Sequence, residues 1–390
     1  MANKKGRRRR FGSVRQLPSG RFQARYRGPD ELMRSAPVTF DSETDANVWL
    51  TVTEAQIIRG DWIDPDAGRV PLGEYGAKWI AERPLAPSTV ARYEAALRGQ
   101  IEPWIGRLDL VDVTPARVRR WRRDLLDAGT GAPTVAKAYR LLRAVMNTAV
   151  DDELIRRNPC RVKGADKDES PERPVASIDQ VYAIADAGRP WCRALVLLAA
   201  FTGLRWGELV ELRKHNLDLA GGFVRVAGST SEVRGVLIEG RTTKSRAGVR
   251  EVGVPAAIVP ELRAHLRRWS EAGPHGRVFV GPRGGKLLRS NYSRYWKEAV
   301  GKAGLGRLGL HFHDLRHTAN SFVASSASLR ELMTRMGHAS PRAALIYQHA
   351  NREREREITE ALSRRIEALR SGDLAREWHE ADSSEADEGA

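Results

Sequence analysis

Two polar stretches interrupt this chain of 390 residues and limit what it can fold into. The first, from Gly60 to Gly73, is rich in Asp, Gly and Pro, and the second is KGADKDESPERP, from Lys163 to Pro174. Such stretches are typical of linkers, and the chain exceeds the roughly 100–200 residues of one domain. We therefore predict domains at residues 1–65, 70–165 and 175–371, followed by an acidic disordered tail at 372–390.

The first block predicts a three-stranded sheet with one helix behind it. Apolar residues at every second position form the buried face of a strand: Phe22, Ala24 and Tyr26. Arginines occupy the other face of this strand. The segment Leu17–Gly20 supplies a turn before it, Val38–Phe40 is predicted as a further strand, and a helix begins at Ser42. The arginine face either enters a DNA groove or is simply solvated.

The second block is predicted to be helical, and the third to mix helices with a few strands. In TPARVRRWRRDLL, Thr114 is placed as N-cap and Pro115 as the first helical residue. Five arginines cover the polar sides of this helix: Arg117, Arg119, Arg120, Arg122 and Arg123. The predicted fold class is thus a multidomain protein, mainly α with small β-sheets: a sheet plus a helix, a helical domain, and an α+β domain.

The charge balance points to a polyanionic partner. Lys and Arg number 65 against 49 Asp and Glu, a net charge of +16. Nucleic acid is the first candidate and a membrane surface the second. No apolar run approaches the roughly 20 residues of a membrane span, and the basic N-terminus lacks the apolar stretch of a secretion signal. The two cysteines, Cys160 and Cys192, form no disulfide framework, so we expect a cytoplasmic protein.

Two stretches of the third block place a cation where an anion can bind. In FTGLRWGELVEL, Arg205 precedes a predicted helix start, whose backbone N–H groups favour anions. The alternative is that Arg205 pairs with Glu208 or Glu211. In RTTKSRAGVREVGVP, Lys244 lies on a turn between two predicted strands. Its alternative is an ordinary solvent-exposed lysine.

Two later stretches carry histidines. In HFHDLRHTANSFV, helical spacing places His313 on the same face as Arg316 and as His317. The histidine pair is spaced as in a zinc motif, but Asp314 stands where that motif has Glu, so phosphate is the better ligand. In MGHASPRAALIYQHA a helix ends before His338, and Tyr347 follows nine positions later. A tyrosine in this position is otherwise a packing residue.

Taken in order, these residues resemble the catalytic set of the tyrosine recombinases, the phage integrase family. The matching boxes are TGLRWGEL, HDLRHT and GHAS followed by tyrosine, and the resemblance covers about residues 177–370. It implies that residues 175–371 form the catalytic domain, that the helical block binds the core site on DNA, and that the N-terminal sheet binds arm sites. One departure is Ser326, where relatives commonly carry glycine.

The resemblance also implies the chemistry. Tyr347 would attack the scissile phosphate and form a 3′-phosphotyrosyl link without ATP, metal or cofactor. The remaining roles are a phosphate clamp by Arg205 and Arg316, protonation of the leaving oxygen by Lys244, base action by His313 and a phosphate hydrogen bond from His338. Glu208 would orient the surroundings of Arg205, and His317 would act at most as support.

The implied function is site-specific integration or excision of a phage or other mobile element. The implied partners are double-stranded DNA attachment sites in the nucleoid, further copies of the chain in a homotetramer, and helpers such as an excisionase or a host DNA-bending protein. A C-terminal helix carrying Ile358, Leu362, Ile366 and Leu369 would dock on a neighbouring protomer or pack on its own domain.

Three other functions remain open. A recombinase that resolves chromosome or plasmid dimers would need only the last two blocks, so the arginine-rich first block speaks against it. A type IB topoisomerase would relax any supercoiled plasmid. A catalytically silent DNA-binding protein would have no use for Tyr347 or Lys244.

Overall fold

The structure, a computed structural model, describes residues 10–167, 173–241, 249–324 and 327–337, together with 359–360, 362–364 and 366–367. The chain divides into two compact units, Met1–Pro171 and Glu172–Ala390. In the described part of the chain, no helix has both the length and the apolar character needed to cross a membrane.

The N-terminal part of the first unit is a small antiparallel sheet covered by a helix. Its strands β1 (Ser13–Gln16), β2 (Phe22–Arg27) and β3 (Met33–Ser35) lie in the order β1-β2-β3, and helix α1 spans Glu43–Arg59. The hydroxyl of Ser42 caps α1 by accepting the backbone N–H of Asp45, as predicted.

The third strand was predicted in the wrong place. The turn after β2 is tight, because the backbone N–H of Gly28 donates to the carbonyl of Leu32, so the chain returns as β3 at once. The predicted strand Val38–Phe40 is reduced to an isolated bridge between Phe40 and Phe22.

The remainder of the first unit is helical. Its helices are α2 (Leu72–Ala81), α3 (Pro87–Ala96), α4 (Glu102–Ile105), α5 (Pro115–Asp127) and α6 (Ala132–Asp151), with a π-helical turn at Leu97–Ile101. Thr114 caps α5, and the buried side of this helix is Val118, Trp121 and Leu125. The arginine-rich sides of α5 therefore remain outside this core.

The second unit packs helices around a buried central helix and two small antiparallel sheets. Its helices are α7 (Ile178–Ala187), α8 (Arg193–Thr202), α9 (Trp206–Glu211), α10 (Val259–Arg268), α11 (Arg289–Lys302), α12 (Asp314–Ala324) and α13 (Leu329–Met336). Its strands are β4 (Leu217–Asp218), β5 (Phe223–Val226), β6 (Ser229–Val233), β7 (Val236–Arg241) and β8 (Arg250–Gly253). The sheets have the orders β4-β5-β8 and β6-β7, and nearly all of α8 is buried.

Two helices of the second unit end next to each other at left-handed glycines. Gly203 ends α8 with φ 68°, and Gly337 ends α13 with φ 61°. A Cβ on Gly203 would lie 2.7 Å from the sulfur of Met336, in the last turn of α13. Only glycine allows both this backbone conformation and this close approach.

Candidate active site

Arg205 lies at the start of α9, held by a carboxylate of the same helix. Its backbone N–H donates to Glu208 Oε2 at 2.8 Å, and its Nη1 donates to Glu208 Oε1 at 2.9 Å. Its Nη2 donates to the carbonyl of Gly337 at 3.2 Å. The side chain stays 40% exposed, so the pairing with Glu208 leaves the guanidinium open to an anion.

Glu208 is a buried carboxylate shared by two arginines. Besides Arg205, it accepts hydrogen bonds from Arg250 Nη1 at 3.1 Å and Nη2 at 2.9 Å. Burial alone would raise the pKa of Glu208, but the hydrogen bonds and charge of Arg250, with a smaller effect from Arg205, lower it below the ordinary value. The carboxylate is therefore ionised at neutral pH and orients Arg205.

Arg316 lies in the first turns of α12 and is almost entirely buried. Its Nη1 donates to the carbonyl of Gly203, and its Nη2 donates to the carbonyl of Met336. These carbonyls belong to the C-terminal ends of α8 and α13, where the helix dipole favours a positive charge. Arg316 thus lies where these two helix ends meet.

The last turn of α13 is bound by three arginines from three different elements. Arg250 Nε donates to the carbonyl of Arg335 at 2.8 Å, Arg316 to that of Met336, and Arg205 to that of Gly337. These are three successive carbonyls. The two predicted phosphate-clamping arginines are thereby brought to one place, directly before His338 in the sequence.

Aromatic packing brings His313 to the same place. Phe312, which precedes His313, contacts Trp206, which follows Arg205, with ring centroids 5.2 Å apart and nearly perpendicular planes. The ring of Phe312 also meets Tyr292 at 5.2 Å and Trp296 at 5.4 Å, both on α11. Edge-to-face pairs of this kind fix ring positions, so the turn before His313 is held against the start of α9.

His313 lies at the start of a helix, immediately before its first residue, in agreement with the sequence pattern. Helix α12 begins at Asp314, and the carbonyl of His313 accepts the backbone N–H of Arg316 at 3.0 Å. The ring of His317 lies perpendicular to that of His313, with centroids 5.6 Å apart. No three potential metal ligands come together in the part of the chain that the structure describes.

The His313 ring has a low proton affinity. Residue His313 is exposed in part, but the protein removes water from its imidazole, and this effect, followed by the charges of His317, Arg316 and Arg289, lowers its pKa to about 4. The pKa of His317 is also lowered, mainly by burial. Both rings are therefore neutral at pH 7, and a neutral imidazole can accept a proton.

An ion pair between a half-buried arginine and a buried carboxylate fixes the start of α12. Asp314 accepts the backbone N–H of His311 at 2.6 Å and the Nε of Arg173 at 3.0 Å. Burial raises the pKa of Asp314, but the hydrogen bonds from Arg173 and His311 outweigh it and lower the value. This carboxylate therefore orients the turn that carries His313.

Several predicted residues lie outside the described part of the chain. These are Lys244, His338, Tyr347 and Ser326, the helix positions Ile358 and Leu369, and the acidic tail at 372–390. Leu362 and Ile366 are described and are exposed.

Sequence reasoning missed two arginines that support the site, Arg250 and Arg173. Alternation along β8 could have found Arg250, because it shares a face with the buried Val252 and Val254 and is therefore a buried charge. Arg173 could not be found in this way, because its partner Asp314 lies 141 positions away in sequence.

Comparisons with known proteins agree with this geometry. Residues 10–59 match the sequence model "Phage integrase, N-terminal domain", and residues 175–354 match "Phage integrase family". A protein named as a prophage phiRv2 integrase of Mycobacterium tuberculosis is 39% identical, over 93% of this chain and 98% of its own length. This chain belongs to the phage integrase family.

Solved structures share the fold of this integrase. The integrase of transposon Tn1549 in complex with transposon right end DNA has a TM-score of 0.66 at 20% identity, over 75% of this chain and all of that one. A lambda integrase tetramer bound to a Holliday junction has a TM-score of 0.53 at 20% identity, over 84% of this chain and 96% of that one.

Family membership makes the chain a tyrosine recombinase, a DNA strand-exchange enzyme. Its match to an integrase N-terminal domain favours an integrase over a recombinase that resolves dimers. A catalytically silent DNA-binding protein fits these relatives less well.

Proposed function

We propose that this integrase cuts and rejoins DNA attachment sites through a 3′-phosphotyrosyl intermediate and thereby integrates or excises a phage or another mobile element. The observation that carries the proposal is the convergence of Arg205 and Arg316 on the last turn of α13. Two guanidinium groups at one place can neutralise both nonbridging oxygens of a phosphodiester.

The proposed cleavage is a transesterification at the scissile phosphate. Tyr347 Oη attacks phosphorus, the bond from phosphorus to O5′ breaks, and the 3′-phosphotyrosyl link forms. The phenol proton passes to His313, and Lys244 gives a proton to O5′, which leaves as a 5′-hydroxyl. Attack by a 5′-hydroxyl of another strand reverses these steps and completes strand exchange.

The described residues can supply a proton acceptor for the tyrosine and positive charge for the phosphate, the two requirements of this step. The pKa of a tyrosine is about 10, so the attack requires a base that is free to accept the phenol proton. The His313 ring is neutral in the DNA-free protein, and the negative charge of a bound phosphate would raise its pKa and strengthen it as a base. A pentacoordinate phosphate carries extra negative charge, which Arg205 and Arg316 would stabilise, with His338 as a further donor. Glu208 holds Arg205 in the orientation that the clamp requires.

The partners follow from charge and from the related structures. The arginine-rich sides of α5 favour contact with DNA phosphates at the core site, and the N-terminal sheet favours contact at arm sites. The related structures contain DNA and, in the case of lambda integrase, a tetramer on a Holliday junction. We extend both to this chain, as a homotetramer on nucleoid DNA in the cytoplasm, assisted by an excisionase or a host DNA-bending protein.

A suicide substrate tests the proposal directly. A duplex containing the junction of the element carries a nick beside the scissile phosphate. After cleavage the short strand that carries the 5′-hydroxyl diffuses away, so the strand cannot be rejoined and the covalent complex accumulates. In EDTA, the wild-type chain should give an SDS-resistant protein–DNA band and Tyr347→Phe should give none, because the nucleophile is missing.

The matched control is Tyr295→Phe, which removes a hydroxyl from a half-buried tyrosine of α11 in the same unit. It should give the wild-type band. A band from Tyr347→Phe would identify another nucleophile, and tight DNA binding without any band from the wild type would favour the silent DNA-binding protein.

A further inference from the structure

We propose that Arg250 is a positioning residue of the cleavage reaction, which acts by fixing Arg205 and the end of α13. The inference rests on the proposed function and adds to it a residue that neither touches the phosphate nor belongs to the family's catalytic set. Arg250 opens strand β8, and its side chain is only 3% exposed.

The contacts of Arg250 reach two parts of the site at once. Its two Nη atoms bind the two carboxylate oxygens of Glu208, which in turn hold the backbone and the guanidinium of Arg205. Its Nε binds the carbonyl of Arg335, two positions before Gly337, whose carbonyl also binds Arg205. Arg250 therefore constrains Arg205 from both sides, through Glu208 and through α13.

Chain connectivity adds a third link. Lys244 lies in the segment between β7 and β8, six positions before Arg250. Because Arg250 is the first residue of β8, its buried contacts fix the point at which that segment rejoins the sheet. Strand β8 then continues antiparallel to β5, with Arg250 opposite Val226.

Charge explains why this position requires arginine. The buried carboxylate of Glu208 remains ionised because it faces the guanidinium groups of Arg205 and Arg250. Without Arg250, this buried negative charge would lose one of its two cationic partners. Lysine would keep the positive charge, yet its single nitrogen cannot bind both oxygens of Glu208 and the carbonyl of Arg335 together. Arg250→Lys is thus expected to preserve the fold while loosening Arg205.

The experiment is a double-mutant cycle on single-turnover cleavage of the suicide duplex at saturating protein. Its members are the wild type, R250K, R205K and the double variant, with DNA affinity and the unfolding midpoint measured for each. Arg225→Lys is the matched control, because Arg225 is an exposed arginine on the neighbouring strand β5. We expect R250K to slow cleavage roughly tenfold or more, with DNA affinity unchanged and R225K as fast as the wild type.

The coupling decides between a positioning and a merely structural role. If Arg250 acts through Arg205, R250K should slow an R205K chain by less than about twofold, since the clamp is already displaced. An equal loss in both backgrounds, or cleavage by R250K at the wild-type rate, would overturn the proposal. If the wild type itself forms no covalent link, the proposed function fails, and the role of Arg250 fails with it.

A second comparison covers the case in which R250K does not fold. Arg250→Gln in a Glu208→Gln background leaves no buried unpaired charge. It should cleave more slowly than the wild type, because two neutral amides hold Arg205 and the Arg335 carbonyl less firmly than the ion pair does. Equal rates would contradict the proposal.

Discussion

His313 illustrates how much the pKa of a single side chain depends on the loss of water around it and on nearby charges. Loss of water around the ring and three nearby cationic or imidazole groups lower its pKa to about 4, from an ordinary value near 6.5. The folded state therefore prefers the neutral ring. The stability that this preference contributes is present above about pH 6.5 and is lost as the pH falls from there toward 4.

We predict that His313 stays neutral in the DNA-free protein down to about pH 5. An NMR titration of histidine labelled at Cε1 measures this, and His313→Gln identifies the resonance among those of the nine histidines. A titration midpoint near 6.5 would contradict the prediction. Bound DNA phosphate should move the midpoint upward, because a nearby negative charge favours the protonated ring.

Single residues also show what the sequence could and could not predict. Ser42, Thr114 and the glycines that end α8 and α13 were predictable, because caps depend on a few neighbouring residues. The carbonyls that hold Arg205 and Arg316 were not, because backbone groups carry no sequence signal and the bonds span 132 and 113 positions.

Among the elements, the hairpin β6-β7 has a distinct attachment to α11. Glu232 on β6 accepts the backbone N–H of Arg289 at 2.6 Å and the hydroxyl of Ser290 at 2.7 Å, at the start of α11. A carboxylate at a helix N-terminus is favourable for the helix dipole and satisfies N–H groups that lack a partner within the helix. The hairpin that leads into the Lys244 segment is thereby anchored.

We predict that Glu232→Ala lowers the free energy of unfolding by about 1 kcal/mol, the usual size of a lost helix cap. It should also slow cleavage of an ordinary phosphodiester, because the Lys244 segment loses its anchor at the β7 end. The test compares this duplex with one whose leaving atom is sulfur, which needs no protonation. Glu232→Ala should regain most of its rate on the sulfur substrate, as Lys244→Ala should.

The matched variant is Glu232→Gln, which keeps an acceptor for the N–H of Arg289 and should lose less. If the sulfur substrate restores Lys244→Ala but not Glu232→Ala, the hairpin does not act through the lysine. If Glu232→Ala and Glu232→Gln both cleave the phosphodiester at the wild-type rate, the contact between Glu232 and α11 is irrelevant to cleavage.

The boundaries of helices and strands were harder to predict from the sequence pattern than their types. Periodicity gave the type of each block correctly, because burial of one face imposes it. The third strand of the N-terminal sheet was misplaced, because the tight turn at Gly28 depends on backbone hydrogen bonds that alternation does not encode.

At the scale of the whole molecule, the proposed arm-site function and the proposed catalytic function belong to separate parts of the sequence. The N-terminal sheet has its own core, formed by Ala24, Tyr26, Ala36, Ala46 and Leu50. We predict that deletion of residues 1–65 spares cleavage of a core-site duplex and abolishes integration. The measurement pairs the suicide-substrate assay with recombination between two complete attachment sites.

A second test of the arm-site prediction keeps residues 1–65 folded and removes only positive charge from the exposed face of β2. Arg25→Gln and Arg27→Gln on β2 leave the buried face intact and should reproduce the deletion. Normal integration by the deleted chain would show that residues 1–65 do not bind arm sites. Loss of core-site cleavage would show that these residues support the rest of the first unit.

The ion pair between Arg173 and Asp314 has a practical consequence for building hybrid recombinases. The match to the phage integrase family model begins at residue 175. That position is therefore an obvious junction for joining the N-terminal half of one recombinase to the C-terminal half of another. A junction there would discard Arg173 and leave Asp314, a buried carboxylate beside His313, without its main cation. Splicing N-terminal to Arg173 keeps donor and acceptor from the same parent, so the seam between grafted halves belongs in the polar segment that precedes this arginine.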